Sequence, residues 1–375
     1  LDFLFVITSF KVTIYCIYNF IFAVAFYLRP TAIYSMLKKL LLYFFLIICA
    51  VSYSQIGGKY TYQFLNLVTS PRQAALGGKV ITIYDNDVNQ VHFNPATINA
   101  EMDNHLALNY GSYFKEVSYG TASYAYTYDR HLQTIQAGVN YVNYGNFEGY
   151  DENGQLTTEF TGSEIALSFG YAYNIPFTDI HLGASAKLIS SSLETYHSFG
   201  GALDIGALYI DERNDVNWGL AVRNIGTQFS TYNGIKEKLP LEIIIGVSQE
   251  LENVPIRWHL TIENLQQWNI AFSNPVRAES SFDGTDSEEK VSFVNNALRH
   301  VIVGVELFPK KAFNLRLGYN FRRAEELRLQ EQRNFSGVSL GFGLKLNKLK
   351  FNYSYSRYTL AGNTSLFGLT INFQE

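Results

Sequence analysis

The sequence predicts an all-β fold: a 14-stranded antiparallel transmembrane β-barrel with an N-terminal plug segment. Three observations predict it. From His105 onward, segment after segment alternates apolar and polar residues, the period-two mark of a strand whose two faces meet different surroundings. Fourteen such segments can be counted, and an even count lets both ends of a closed barrel lie on one side of a membrane. The connections sort by parity, short after even-numbered segments and mostly long after odd ones, an asymmetry that a soluble sandwich has no reason to show.

Residues 1 to 35 precede Met36 and include an uncharged run, Val12 to Leu28, that also has the length of a short membrane helix. The chain opens on Leu and a complete export signal follows Met36, so this stretch is read as overextended upstream translation. Residues 36 to 54 form that signal. MLKKLLLYFFLIICAVSYSQ joins Lys38 and Lys39 to the apolar run Leu40 to Ala50, with the small Ser52 and Ser54 just ahead of a cut before Gln55. Both cysteines, Cys16 and Cys49, precede the cut, so the exported product is expected to carry neither disulfide nor thiol, and redox chemistry is excluded. Ile48 is too bulky to make Cys49 a lipidation site.

Residues 55 to 104 do not alternate. They are too many for a linker, and a barrel of this size has a lumen to fill, so they are read as a plug entering from the periplasmic side. Gly77, Gly78 and Pro95 supply turns that ordinary residues resist. Pro95 pushes Asn94 toward extended geometry, from which its amide can satisfy backbone groups at a bend. Asp85, Asp87 and Asn89 suggest calcium. An EF-hand loop, however, wants Gly at 90 and Glu at 96, where Gln90 and Ala96 stand.

Residues 105 to 375 are the barrel, with segments centred near 109, 122, 137, 168, 184, 202, 220, 245, 260, 303, 317, 340, 352 and 369. Lengths of about 9 to 13 residues suit a tilted crossing of the hydrocarbon layer. In AFNLRLGYNF, Phe313, Leu315, Leu317, Tyr319 and Phe321 share one face, opposite Asn314, Arg316, Gly318 and Asn320. Leu349, Phe351, Tyr353 and Tyr355, then Phe367, Leu369, Ile371 and Phe373, repeat the pattern, as do Ile135 to Tyr141 and Ile256 to Ile262. The apolar faces would meet lipid, and closure is compulsory because an unpaired edge in hydrocarbon leaves backbone groups unsatisfied. Tyr141, Tyr144, Tyr171, Tyr173 and Tyr358 lie toward strand ends, where interfacial girdles sit. Gln136, Lys187, Arg223, Arg257, His259, Glu263, Arg316, Lys345 and Lys350 fall on the opposite faces and would turn into the lumen, paired with each other or with the plug. Tight turns are expected around Asp129-Arg130, Ile175 to Phe177, Asp211 to Asn214, Glu252 to Pro255, Pro309 to Lys311 and Asn347. Long loops are expected over Asn143 to Gly162, Ile225 to Pro240, Asn264 to Ala297 and Ala324 to Asn334, with Phe114-Lys115 a short exception.

A net charge of −4 with 17% charged residues offers no surface for nucleic acid. Catalytic patterns are missing: no HExxH, CxxC or GxSxG occurs, His92 and His105 do not share a helical turn, and GFG at 341 to 343 lacks the lysine of a phosphate loop. The acidic piece Asp283 to Glu289 reads as a solvated loop tip, or as a contact for a cation or a basic partner.

TSPRQAALGG (Thr69 to Gly78), DND (Asp85 to Asp87) and FNPAT (Phe93 to Thr97), followed by fourteen strands, resemble the FadL-type outer-membrane proteins of Bacteroidetes, in particular the PorV and PorQ branch of the type IX secretion system. The NPA of Asn94, Pro95 and Ala96 is shared with FadL transporters generally, whereas SPRQAALGG points to that branch. The resemblance implies a non-enzymatic protein of the bacterial outer membrane, without cofactor, metal or catalytic residues. Beyond outer-membrane lipid, its partners would be a surface protein resembling PorZ and, through it, a sortase-containing attachment complex that processes and anchors exported cargo. Only structural plug positions carry over: Pro71, Arg72, Leu76, Gly77, Gly78, Asp85, Asp87, Asn94, Pro95 and Ala96. Two other functions compete, a FadL-like channel for hydrophobic small molecules and a soluble exported β protein that binds carbohydrate.

Overall fold

The computed structural model describes residues 60–113, 116–129, 133–151, 153–270, 279–280, 286–287, 292–327, 336–357 and 363–374. The upstream stretch, the signal peptide, the first plug residues, the Phe114-Lys115 turn, Arg130, Tyr358 and most of the acidic piece lie outside them. Each predicted centre falls inside one barrel strand. The strands are β1 His105–Ser112, β2 Ser118–Asp129, β3 Gln133–Tyr150, β4 Leu156–Asn174, β5 Ile180–Leu193, β6 Tyr196–Asp211, β7 Val216–Ser230, β8 Glu242–Glu250, β9 Ile256–Ile262, β10 Val301–Leu307, β11 Phe313–Asn320, β12 Val338–Leu346, β13 Leu349–Arg357 and β14 Asn363–Asn372. Neighbours pair antiparallel all the way round, and β1 closes on β14 from His105↔Asn372 to Ser112↔Ser365, so the barrel has no free edge.

The faces divide as alternation dictates. On β11, Phe313, Leu315, Leu317 and Tyr319 are exposed while Asn314, Arg316 and Asn320 are buried. Apolar residues outside and polar residues inside reverse the order that water selects and match a bilayer around a polar interior. Pairing satisfies the backbone groups that hydrocarbon cannot.

Several boundaries differ from expectation. Strand lengths run from 7 to 19 residues rather than 9 to 13. The supposed loop Asn143 to Gly162 is mostly paired, because β3 and β4 continue their ladder as far as Tyr150↔Leu156. Once outside hydrocarbon a hairpin needs no strict alternation to persist, so sequence period understated its length. Tyr144 shares the inward parity of Gln136 and Val142, and its hydroxyl reaches Glu164 at 2.5 Å, so it is no girdle residue. Phe321 leaves the strand and opens a short helix, Phe321–Glu326, capped by the Asn320 side chain on Arg323 N.

The plug is a chain of single turns: 3-10 turns at Gln63–Asn66, Val88–His92, Pro95–Thr97 and Ala100–Met102, and a short α-helix, Pro71–Ala75. Thr61 donates its backbone N–H to Lys238 O in the long β7–β8 connection. The described plug therefore starts at the outer end and descends to His105 at the periplasmic end, a path unlike the periplasmic entry the sequence suggested.

Candidate functional site

The interior of the barrel is built by plug side chains meeting inward-facing wall residues. Pro71 is well placed to open a helix, since its fixed φ suits the first turn and its missing N–H is not needed there. That helix points Arg72 at the wall. Its Nε and Nη2 donate to the two carboxylate oxygens of Glu306 on β10, at 2.8 and 2.9 Å, and Nη1 donates to Asp85 Oδ2 at 2.7 Å and Asp87 Oδ2 at 3.5 Å. Arg316 on β11 adds a bond to Glu306 at 3.0 Å and another to Asn352 at 2.8 Å. Arg72 is only 2% exposed, so these bonds form where water does not screen them. Burial raises the Asp85 carboxyl, and the Arg72 guanidinium more than reverses this, leaving Asp85 at about 2. Asp87 also accepts from Asn89 N at 3.2 Å and so caps the turn that follows.

A second set of pairs holds the plug to the adjoining wall, over β7 to β9. Lys79 reaches Glu242 at 2.5 Å and Glu263 at 3.5 Å. Arg223 donates to Glu242 at 2.7 Å and to Leu65 O at 3.0 Å, and lies over the Phe93 ring. Lys187 pairs with Asp204 at 2.5 Å, beside the plug. Arg257 bonds Glu250 at 2.7 Å, and His259 approaches Glu306 at 3.6 Å. Gln136 is buried, while Lys345 and Lys350 face each other across β12 and β13 at the periplasmic mouth. Burial, then the nearby Lys187 and Arg223, lower the plug's His92 to about 4, keeping its ring neutral against Ser123 at 2.7 Å.

The remaining motif positions are places where backbone meets wall. Asn94 adopts φ −147° and ψ 108°; its Nδ2 donates to Ile81 O at 2.8 Å and its Oδ1 accepts from Ala96 N at 3.0 Å. Pro95 and Ala96 lie against Gly183, where an added Cβ would come 2.3 Å from the Pro95 carbonyl carbon, and a Cβ at Gly206 would come 1.9 Å from Asn94 Oδ1. Leu76 and Gly77 press likewise on Gly304 and Gly318. Gly77 and Gly78 take φ of 93° and 154°, open to glycine alone at low cost. Gly77 O then accepts from Asn320 Nδ2 at 3.2 Å and Arg323 Nη2 at 2.8 Å.

The structure thus gathers Arg72, Asp85 and Asp87 into one cluster and sets Asn94, Pro95 and Ala96 in a separate contact, with Leu76 to Gly78 in a third. Sequence reading did not single out Glu306, Glu242, Asp204 or Lys79. Glu306 and Asp204 did leave a trace, as single charges at inward parity in apolar stretches such as VIVGVEL, whereas Lys79 lies in the plug, where no alternation marks it. Among the described residues the carboxylates near Arg72 form no metal-binding group.

A closed antiparallel barrel with an apolar outside and an ion-paired plug is a bacterial outer-membrane protein. Its fold is that of the FadL-like 14-stranded barrels. The chain is similar to the toluene transporter TbuX of Ralstonia pickettii, with a TM-score of 0.52 at 13% identity over 84% of this chain and 100% of that one. A Pseudomonas aeruginosa FadL homologue aligns at a TM-score of 0.46 and 10% identity, over 82% and 99% of the two chains. The KdgM porin aligns at only 0.31 and 9% identity, over 72% and 99%. No family model matches the chain, and no curated protein matches it.

Proposed function

We propose that this chain is a non-enzymatic, PorQ-like component of the type IX secretion system, holding a PorZ-like surface protein and, through it, the sortase-containing cargo attachment complex. The observation that carries the reading is the Arg72 cluster. A guanidinium held by Glu306 of the wall and by Asp85 and Asp87 of the plug fixes the plug across the lumen, which suits a rigid platform better than a conduit. The SPRQAALGG stretch that supplies Arg72 is also what points to this branch. Outside the bilayer, the tall β3–β4 hairpin offers a surface for a partner. Deleting the gene is expected to leave cargo unanchored or lost to the medium, and purification of the barrel from outer membranes should bring down a surface protein that the deletion strain no longer retains. Normal anchoring in the deletion strain would overturn the proposal.

A second reading, a FadL-like channel for hydrophobic small molecules, draws on the fold shared with a toluene transporter. It predicts that the deletion strain secretes normally and loses uptake of an apolar nutrient.

A further inference from the structure

The barrel wall is uneven in height. Strands β3 to β7 contain 14 to 19 residues, whereas β9 and β10 contain 7 and β11 contains 8. Seven residues at about 3.3 Å each span roughly 23 Å along a strand. A tilt of about 40° reduces that to roughly 18 Å, against an apolar band about 25 Å tall. Backbone bonds from Glu263 N to His300 O and from Phe308 N to Pro255 O continue the pairing one residue past each end, so the wall over β9 and β10 is short of that band by roughly 2 to 7 Å, less than the thickness of one helix, about 10 Å.

What stands above these strands is inside out. The short helix Phe293–Leu298 exposes Phe293 (71%), Val294 (65%) and Leu298 (43%), and the neighbouring Trp268 is 50% exposed. Trp268 lies 5.0 Å from the Phe293 ring and stacks on His300 at 5.3 Å. The polar groups of the same segment turn the other way. Asn296, Arg299 and His300 are buried; Asn296 Nδ2 donates to Trp268 O, and the His300 ring nitrogens lie 2.7 Å from Glu263 O and 3.0 Å from Trp268 O. Water would select the opposite arrangement, and the exposed face continues the apolar outer face of β10, where Val301, Val303 and Val305 are on the lipid side.

We infer that Trp268 and the helix Phe293–Leu298 lie in the outer leaflet of the bilayer, completing the lipid-facing band where β9 and β10 are too short to span it. The occupant of this surface is hydrocarbon, and Trp268 with Phe293 forms the aromatic edge of the band on that sector. The inference rests on the outer-membrane location and not on the partner proposed above.

The test uses the full chain with Cys16→Ser and Cys49→Ser, labelled by a nitroxide at Val294→Cys or Leu298→Cys and folded into dimyristoylphosphatidylcholine vesicles. Leu317→Cys on the lipid face and Tyr150→Cys on the tall hairpin are the references. Both loop labels should resemble Leu317→Cys, with an accessibility ratio of oxygen to a water-soluble nickel chelate several-fold above that at Tyr150→Cys. Nickel access equal to Tyr150→Cys overturns the inference in favour of a water-exposed loop, and protection from both reagents overturns it in favour of a protein cover. As a check without cysteines, acyl chains brominated near their headgroup ends should quench a fluorescence component that Trp268→Phe removes. Quenching unaffected by Trp268→Phe also counts against it.

Discussion

At the scale of single residues, the barrel interior is an exercise in charge balance. Burying an ion pair contributes little on its own, but removing one partner strands the other. Glu306 serves Arg72 and Arg316 together, so Glu306→Gln is expected to destabilise the folded barrel by about 3 kcal/mol. A urea titration in lipid vesicles followed by tryptophan fluorescence measures this, and an unchanged midpoint contradicts it. The exposed Arg322–Glu326 pair gives the contrast, since Arg322→Ala should cost less than about 1 kcal/mol. Asp85 adds a pH dependence. Its folded-state value of about 2 lies below the ordinary carboxylate value, so its contribution is complete above about pH 4 and disappears as pH falls through 2. The plug should therefore loosen between those limits, by an amount on the order of 2 kcal/mol, and Asp85→Asn should abolish that part of the acid response. Acid titrations of the two proteins with equal slopes would contradict it.

Elements inherit their accuracy from what surrounds them. The plug seats where the wall lacks side chains, so Gly206→Ala, whose new methyl would collide with Asn94, should unseat the 94–96 turn while the strands stay paired. Limited proteolysis should then cut within residues 60–104 without altering heat-modifiable migration on gels; a protected plug would show that the contact can adjust. The β3–β4 hairpin makes the complementary case. Above Asn143 and Gly162 its strands form ladder pairs only with each other, because β2 reaches no further than Ser118↔Asn143 and β5 no further than Gly162↔Leu193; bonds from Glu194 N to Thr161 O and from Asn146 N to the Glu116 carboxylate tie only its base to the neighbours. Replacing 146–161 by a short turn should thus leave the barrel folded, and on the proposed function it should reduce recovery of the surface partner. A barrel that fails to fold without this ribbon would show that it stabilises the wall.

For the whole molecule, closure and the inside-out arrangement of faces carry the location, while the slanted rim gives the outer surface a high side at β3 to β7 and a low side at β9 to β11. The high side extends into water and the low side is made up by loop residues, so one barrel presents two different outer surfaces. The protein should require detergent or lipid to remain folded, and exported chain that is monomeric and folded in plain buffer would refute the membrane reading.

Alternation alone gave all fourteen strands and the side on which Leu315, Arg316 and their neighbours face, because a bilayer outside and a polar lumen inside impose a period of two on every crossing residue. It also marked Asn94 and Gly77 as sites of special backbone, since proline and glycine restrict or free φ whatever the fold. The partners of Arg72 and Lys79 were beyond its reach, as Glu306 stands 234 positions from Arg72 and only closure of the barrel brings them together. Hairpin height and the outward face of Phe293–Leu298 likewise depend on pairing and depth. These are tertiary quantities, set by which strand stands beside which and by where the lipid ends.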